Sequence, residues 1–304
     1  MNRMYQMLGI SKQAHFKSRV RANGNQLAEQ QVISEAAAVR KDHPGMGCRK
    51  MYKLAADNVP VGRDRFESIL LENGFRVRFP RNYVKTTRSV KDLYFENLIN
   101  GKTLNGINEL WQSDIAYIHA GGRFYYLVFI MDVYSRRILG YQVHPHMLAT
   151  ANIRALKQAI KTRGNTALSG LIHHSDRGGQ FIDKDYQKLL ASHQITPSMA
   201  KNCWENAYVE RVNGIMKNEY LIPREAGNLK QLKKALRRSV DLYNYKRPHN
   251  SLPENMPPAV YEQELEKGNI IPETMTIYNA KLVTNSYVST SNKKQTKKQP
   301  LIIN

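Results

Sequence analysis

Apolar positions recur along this chain with two different periods, and the change from one to the other divides it. In the first part they fall at helical spacing. Ile33, Ala36 and Ala37 share a face with Arg40 on a predicted helix that ends before His43–Pro44–Gly45. Met51, Leu54 and Ala55 mark a second helix, and Phe66, Ile69 and Leu70 a third, which Asn73–Gly74 would stop. Ahead of these, residues 1–22 predict a short helix, a turn at Gly9–Ile10 and a second helix capped by Ser11, with a break over Ala22–Gln26. From Asn108 the pattern becomes strand-like. Glu109–His119 and Arg123–Val133 are joined by Gly121–Gly122, and Arg137–Val143 follows, giving an antiparallel meander. Beyond it, predicted helices and strands alternate: a helix capped by Thr150 through Ile160, a strand at Gly170–Ser175, a helix from Asp183 or Asp185 to Ser192, a strand at Gln194–Ser198, and helices at Glu205–Tyr220 and Leu229–Tyr245. This order predicts an α/β fold: a ribonuclease-H-like mixed sheet flanked by helices, preceded by an all-α domain.

The expected organisation is an N-terminal helical segment at 1–26, a three-helix domain at 27–74, a basic linker at 75–107, the sheet domain at 108–265 and a basic, partly disordered tail at 266–304. The 304 residues exceed the usual size of one core. Charge sharpens the picture. A formal net charge of +21 points to a polyanion as partner. Residues 1–100 hold 18 Lys and Arg against 9 Asp and Glu. With Arg63, Arg65 and Ser68 on the outer face of its third helix, the three-helix domain reads as a helix-turn-helix binder of DNA or as a small bundle with solvated arginines. Arg76–Arg88 could follow a DNA backbone by charge alone. No apolar run approaches the ~20 residues a spanning helix needs, so no membrane role is expected. Cys48 and Cys203 are the only cysteines, lie far apart and form no zinc pattern, which fits a reducing cytoplasm.

Three carboxylates stand where they would be costly unless used. Asp114 lies inside the β-prone run LWQSDIAYI, Asp176 ends the apolar LIHHSD, and Glu210 rides a helix. In a ribonuclease-H-like sheet the middle of the first strand lies beside the end of the fourth, so Asp114 and Asp176 come together and Glu210 can face them. Two strand carboxylates and one helix carboxylate suit two Mg²⁺ ions, with Mn²⁺ as a substitute, in phosphoryl transfer. Asn206, Asn213 and Lys217 share the Glu210 face and suit contact with DNA, as does Arg177 beside Asp176. Asp132 reads as a turn residue, Asp183 and Asp185 as helix starts, and His173 and His174 as packed or hydrogen-bonded. No nucleotide-binding glycine loop and no Ser or Cys nucleophile motif is present.

The ordered motifs resemble a known family. They are W-x-x-D-I-x-Y at Trp111–Tyr117, D-x-x-S-R-x-I-x-G at Asp132–Gly140, H-S-D-R-G-x-Q-F at His174–Phe181, E-N-A-x-x-E at Glu205–Glu210, K-N-E at Lys217–Glu219 and Y-N-x-x-R-P-H-x-x-L at Tyr243–Leu252. The chain looks like the second-frame (OrfB-type) insertion-sequence transposases, relatives of retroviral integrases. The resemblance implies that Asp114, Asp176 and Glu210 are the DDE metal ligands and that Lys217 helps hold a DNA end. It also implies cutting and joining of element ends in double-stranded DNA, homo-oligomers on that DNA, an upstream-frame transposase subunit as a possible partner, and a bacterial, nucleoid-associated setting. The segment between Asp176 and Glu210 is slightly shorter than is usual there, and Glu205 stands where Asp is usual. A nuclease that cuts without joining, and a non-catalytic DNA-binding derivative, are the alternatives the residues leave open.

Overall fold

The computed structural model describes residues 5, 7, 9–77, 95–164 and 168–277. Most of the expected linker and of the basic tail lies outside them. Helix α1 (Lys12–Asp42) starts at Ser11, whose side chain accepts from the Ala14 amide at 3.0 Å. It runs unbroken through Ala22–Gln26, where the sequence predicts a break. A lone glycine or asparagine lowers helix propensity by under about 1 kcal/mol each, too little to stop a helix of this length. Its second half packs with α2 (Cys48–Ala55) and α3 (Arg63–Glu72) around Val32, Met46, Met51, Phe66 and Leu70.

Five strands form the main sheet: β2 (Leu110–Ala120), β3 (Arg123–Asp132), β4 (Ile138–His144), β5 (Ile172–Ser175) and β6 (Thr196–Met199). Their spatial order is β4-β3-β2-β5-β6, antiparallel for the first three and parallel across β2-β5-β6, the ribonuclease-H-like arrangement the element order predicts. Helices α4 (Ala149–Thr162) and α5 (Lys184–Ser192) cover one face through Trp111, Ile130, Leu156 and Tyr186. On the other face lie α6 (Ala207–Ile215), entered through the 3₁₀ turn Cys203–Asn206, and α7 (Leu229–Tyr245), which pack on Leu127, Phe129 and Met131. The cap of α4 differs from expectation: the helix begins at Ala149 with Leu148 before it and no side-chain cap.

Two local features shape the molecule. The α6 helix widens into a π-helical turn at Met216–Leu221. The Glu219 carbonyl there accepts the Gly45 amide at 2.8 Å. A Cβ on Gly45 would lie 2.6 Å from backbone atoms of Asn218 and Glu219, so only glycine permits this approach. His43 meets the Tyr220 hydroxyl at 2.8 Å beside it. The three-helix unit therefore seats directly on the helix that carries Glu210.

The second feature lies at the C-terminal side. Residues 266–277 are not all tail. Helix α8 (Pro258–Glu266) is followed by β7 (Met275–Thr276), which pairs with β1 (Thr103–Leu104). The expected linker likewise ends in packed chain: Ile99 and Leu104 are buried, and the Leu98 amide donates to Ser198 Oγ at 3.0 Å. Apolar residues too few to predict an element (Ile99, Leu104, Ile277) close a small core with Val133 and Tyr261.

Candidate active site

Strand β2 carries Asp114 on the face that α6 covers. Ser113 pairs with Ser175 across the parallel β2–β5 ladder, so Asp114 and Asp176 leave that ladder side by side. Burial raises the Asp114 carboxyl well above the usual range, and the nearby Asp176 and then Glu210 raise it further. Burial also raises Asp176, and raises Glu210 together with the charge of Asp176. The three carboxylates thus feel one another. Among the described residues none of the three has an ion-pair partner.

Two side chains fasten the site from inside. Asn213 Nδ2 donates to Asp114 Oδ2 at 2.6 Å. Gln112, two residues before Asp114 on the same strand face, donates to the Glu205 carbonyl at 2.9 Å and accepts from the Val209 amide at 3.3 Å. It therefore ties the start of α6, and with it Glu210, to the strand of Asp114. The sequence reading missed Gln112; a polar amide inside the β-prone run LWQSDIAYI was the available signal. Asp176 Oδ1 accepts the Gly178 amide at 3.1 Å, which shapes the turn after β5.

The residues expected to touch DNA divide. Asn206 is 2% exposed and donates to the Ser113 carbonyl at 3.0 Å, so it braces the strand and does not face outward. Asn213 is likewise buried against Asp114. The reason is position: Asn206 sits at the N-cap of α6 and Asn213 lies on its inward face, where the helix meets the sheet. Arg177 donates to the carbonyls of Ala200 (3.2 Å) and Lys201 (2.6 Å), holding the loop before α6. Lys217 lies over the Tyr117 ring at 4.8 Å; burial lowers its pKa and the charge of Asp114 opposes that shift. Arg63 and Arg65 are exposed on the first turn of α3, with Arg63 paired to its neighbour Asp64 at 2.9 Å.

The competing acids have structural partners. Asp132 accepts from the amides of Asn108 and Ser135 and meets Arg163. Asp183 caps α5, and Glu205 forms a capping box with Asn202. Glu219 holds Arg247 through two bonds of 2.8 Å. His173 meets the Tyr186 hydroxyl and His174 meets Ser198 Oγ; burial lowers their pKa values to about 3 and about 4.

Sequence comparison identifies what the chain is similar to. One family model described as "Integrase core domain" matches residues 105–202, and a second of the same description matches 192–258. The chain is 29% identical over 269 residues to the insertion element IS600 uncharacterized 31 kDa protein of Shigella sonnei, covering 86% of this chain and 98% of that protein. It is 35% identical over 146 residues to a putative transposase for insertion sequence element IS986/IS6110 of Mycobacterium tuberculosis, covering 46% of this chain and only 52% of that protein. It is 30% identical over 182 residues to the transposase InsF for insertion sequence IS3A of Escherichia coli, covering 57% and 62% respectively. Among solved structures it is similar to the HTLV-2 integrase catalytic core domain in complex with magnesium, at 23% identity and a TM-score of 0.41 over 55% of this chain and 99% of that one. Taken together, the two models place an integrase core domain over residues 105–258 of this chain, and the proteins it is similar to include insertion-sequence transposases.

Proposed function

We propose that this protein catalyses divalent-metal-dependent strand cleavage and strand transfer at the ends of a mobile insertion element, with Asp114, Asp176 and Glu210 as the metal-holding carboxylates. The observation that carries the reading is the gathering of Asp114 and Asp176 at the end of the β2–β5 ladder with Glu210 on α6 beside them, none with an ion-pair contact among the described residues. Among the described residues no three Asp, Glu, His or Cys side chains are gathered into a ready-made cation cage. The donor set nonetheless fits: all ligands are oxygen, two are desolvated, and among the described residues none has an ion-pair contact, which suits a hard cation such as Mg²⁺ or Mn²⁺. When bound, two such ions would supply Lewis-acid stabilisation of the attacking and leaving oxygens of a phosphodiester.

The chain's own residues do the rest. Asn213 fixes the orientation of Asp114, and Gln112 holds α6 in register with it. Lys217, near Asp114 and braced on Tyr117, supplies a cation for a DNA phosphate. The exposed Arg63 and Arg65 suit the helical unit, over 27–74, to contact DNA ahead of a core over 108–265, and homo-oligomers would assemble on the element ends. An upstream-frame subunit is a possible further partner. No helix among the described residues is long and apolar enough to cross a membrane. The resemblance to insertion-sequence transposases supports a setting at the bacterial nucleoid.

The test is a gel assay with labelled DNA bearing the element's own ends, with and without Mg²⁺, beside Glu210→Gln. Metal-dependent 3′-end cleavage and joining, lost in the variant, is the expected result. Cleavage without joining would favour a nuclease. Binding with neither would favour a non-catalytic DNA-binding derivative or a missing partner.

A further inference from the structure

Two of the sequence motifs have no part in the chemistry above. They are D-x-x-S-R, which ends in Arg136, and Y-N-x-x-R-P-H at Tyr243–His249. The structure brings them to the same cavity, of about 320 Å³. Its walls come from four parts of the chain: Lys50 from α2, Arg136 between β3 and β4, Tyr208 and Arg211 from α6, and Tyr243, Arg247 and His249 from the end of α7 and the residues after it. Arg211 follows Glu210 directly and Tyr208 precedes it by two, so the cavity lies well round α6 from the carboxylate.

The cavity is cationic and its charge is not balanced. Glu219 pairs with Arg247 and cancels that one charge. Among the described residues neither Lys50 nor Arg211 has an ion-pair partner. Arg136 stacks over the Tyr208 ring at 4.3 Å, and its Nη1 is buried without a hydrogen-bond partner. It is held there by a left-handed backbone (φ 66°), a conformation rare for arginine. The titration behaviour agrees with the geometry. Burial and then Arg247 push Lys50 down to about 8, and burial and then Arg247, Arg136, Lys50 and Arg211 push His249 down to about 3. A buried guanidinium nitrogen without an acceptor, among cations that press on one another, is the environment of an anion site.

We propose that this cavity binds a phosphate of the DNA backbone and thereby ties the three-helix unit, through Lys50, to the core. The proposal rests on the reading of the protein as a DNA-processing enzyme. The occupant is a backbone phosphate and not free phosphate, because the walls come from both the exposed-arginine helical unit and the helix that carries Glu210. A single strand contacting both would pass the cavity.

The experiment uses the full chain in two arms. In the first, the unmutated protein is labelled with an amine-acetylating reagent, and Lys50 modification is read by mass spectrometry with no addition, with inorganic phosphate, and with a duplex bearing an element end. In the second, DNA affinity is measured against salt for Lys50→Gln with Arg211→Gln, and for a charge-matched control, Lys230→Gln with Lys233→Gln on the exposed side of α7. The expected result is protection of Lys50 by the duplex, about tenfold weaker binding in the cavity variant, and a salt slope shallower than that of the control by about 1–2. Protection by inorganic phosphate and not by the duplex would overturn the assignment to the DNA backbone and name free phosphate as the occupant. Equal labelling of Lys50 in all three conditions, with the cavity variant binding like the control, would overturn the proposal. Protection by the duplex in a protein that fails the cleavage assay above would support this site independently of the catalytic reading.

Discussion

Asp114 is held in a place that disfavours its own charge. Its carboxyl is raised by burial and by its two acidic neighbours, so the folded chain binds that proton more tightly than the unfolded chain does. The stability it allows is full below the ordinary carboxylate pKa and is lost as pH rises through the raised value. Asp114→Asn should therefore melt several degrees higher than the parent at neutral pH in metal-free buffer, and the gap should close in mild acid. Adding Mg²⁺ should raise the melting temperature of the parent and not of the variant. Differential scanning calorimetry in chelator and in Mg²⁺ reads both effects. The same substitution, like Asp176→Asn, should abolish strand cleavage while leaving DNA binding intact. Asn213→Ala removes the donor to Asp114 and should cost about 1 kcal/mol or more of stability together with most of the cleavage activity. At this scale the placing of Asp114 beside Asp176 was legible, because a carboxylate in an apolar strand needs a reason and the strand order sets its neighbour. The roles of Asn206 and Asn213 were not, because helical spacing gives the face of a residue but not whether a sheet or solvent lies opposite it.

Among the elements, the join between the three-helix unit and α6 is the sharpest test of the architecture. Gly45→Ala would force a methyl group into the backbone of Asn218 and Glu219. A destabilisation of about 1–3 kcal/mol is expected, with faster proteolysis after residue 45 and intact far-ultraviolet dichroism. The π-helical turn that creates this contact could not be read from sequence, since its residues carry ordinary helical spacing. The strands and helices of the sheet domain could be, from alternation and from glycine turns such as Gly121–Gly122. The unbroken α1 could not, because its first half is exposed and no buried stripe marks its course. The packed segments at 95–104 and 266–277 escaped for a related reason: each is short and contributes only a few apolar residues to the core.

For the molecule as a whole, charge sets behaviour in solution. DNA binding should weaken steeply and linearly in log salt, as expected for a chain of net charge +21 that neutralises several phosphates. Acid should act on the fold through its buried histidines. Burial lowers His43 to about 4 and His173 and His249 to about 3. Groups depressed in this way give stability that is full above the ordinary histidine pKa and is lost as pH falls through the lowered values. The melting temperature should accordingly drop between about pH 6.5 and pH 4, and thermal denaturation across that range measures it.

The closure of the core by α8 also bears on how the protein can be divided. Glu262, 1% exposed, meets Arg137 and Arg163 at 2.6 Å each, and Arg163 meets Asp132 at the end of β3. Removing one member of such a buried set leaves its partners unpaired, at a cost of about 3–5 kcal/mol. The matched family region stops at residue 258, before Glu262, before the Glu273 carbonyl that accepts from the Tyr134 hydroxyl, and before Ile277. A recombinant fragment trimmed to that boundary would take Glu262 from Arg137 and Arg163, leave Asp132 with Arg163, and uncover the apolar residues that α8 and β7 close, so it should emerge insoluble. A fragment carried on to residue 277 keeps the set intact, and should be the shorter piece that can be purified and crystallised.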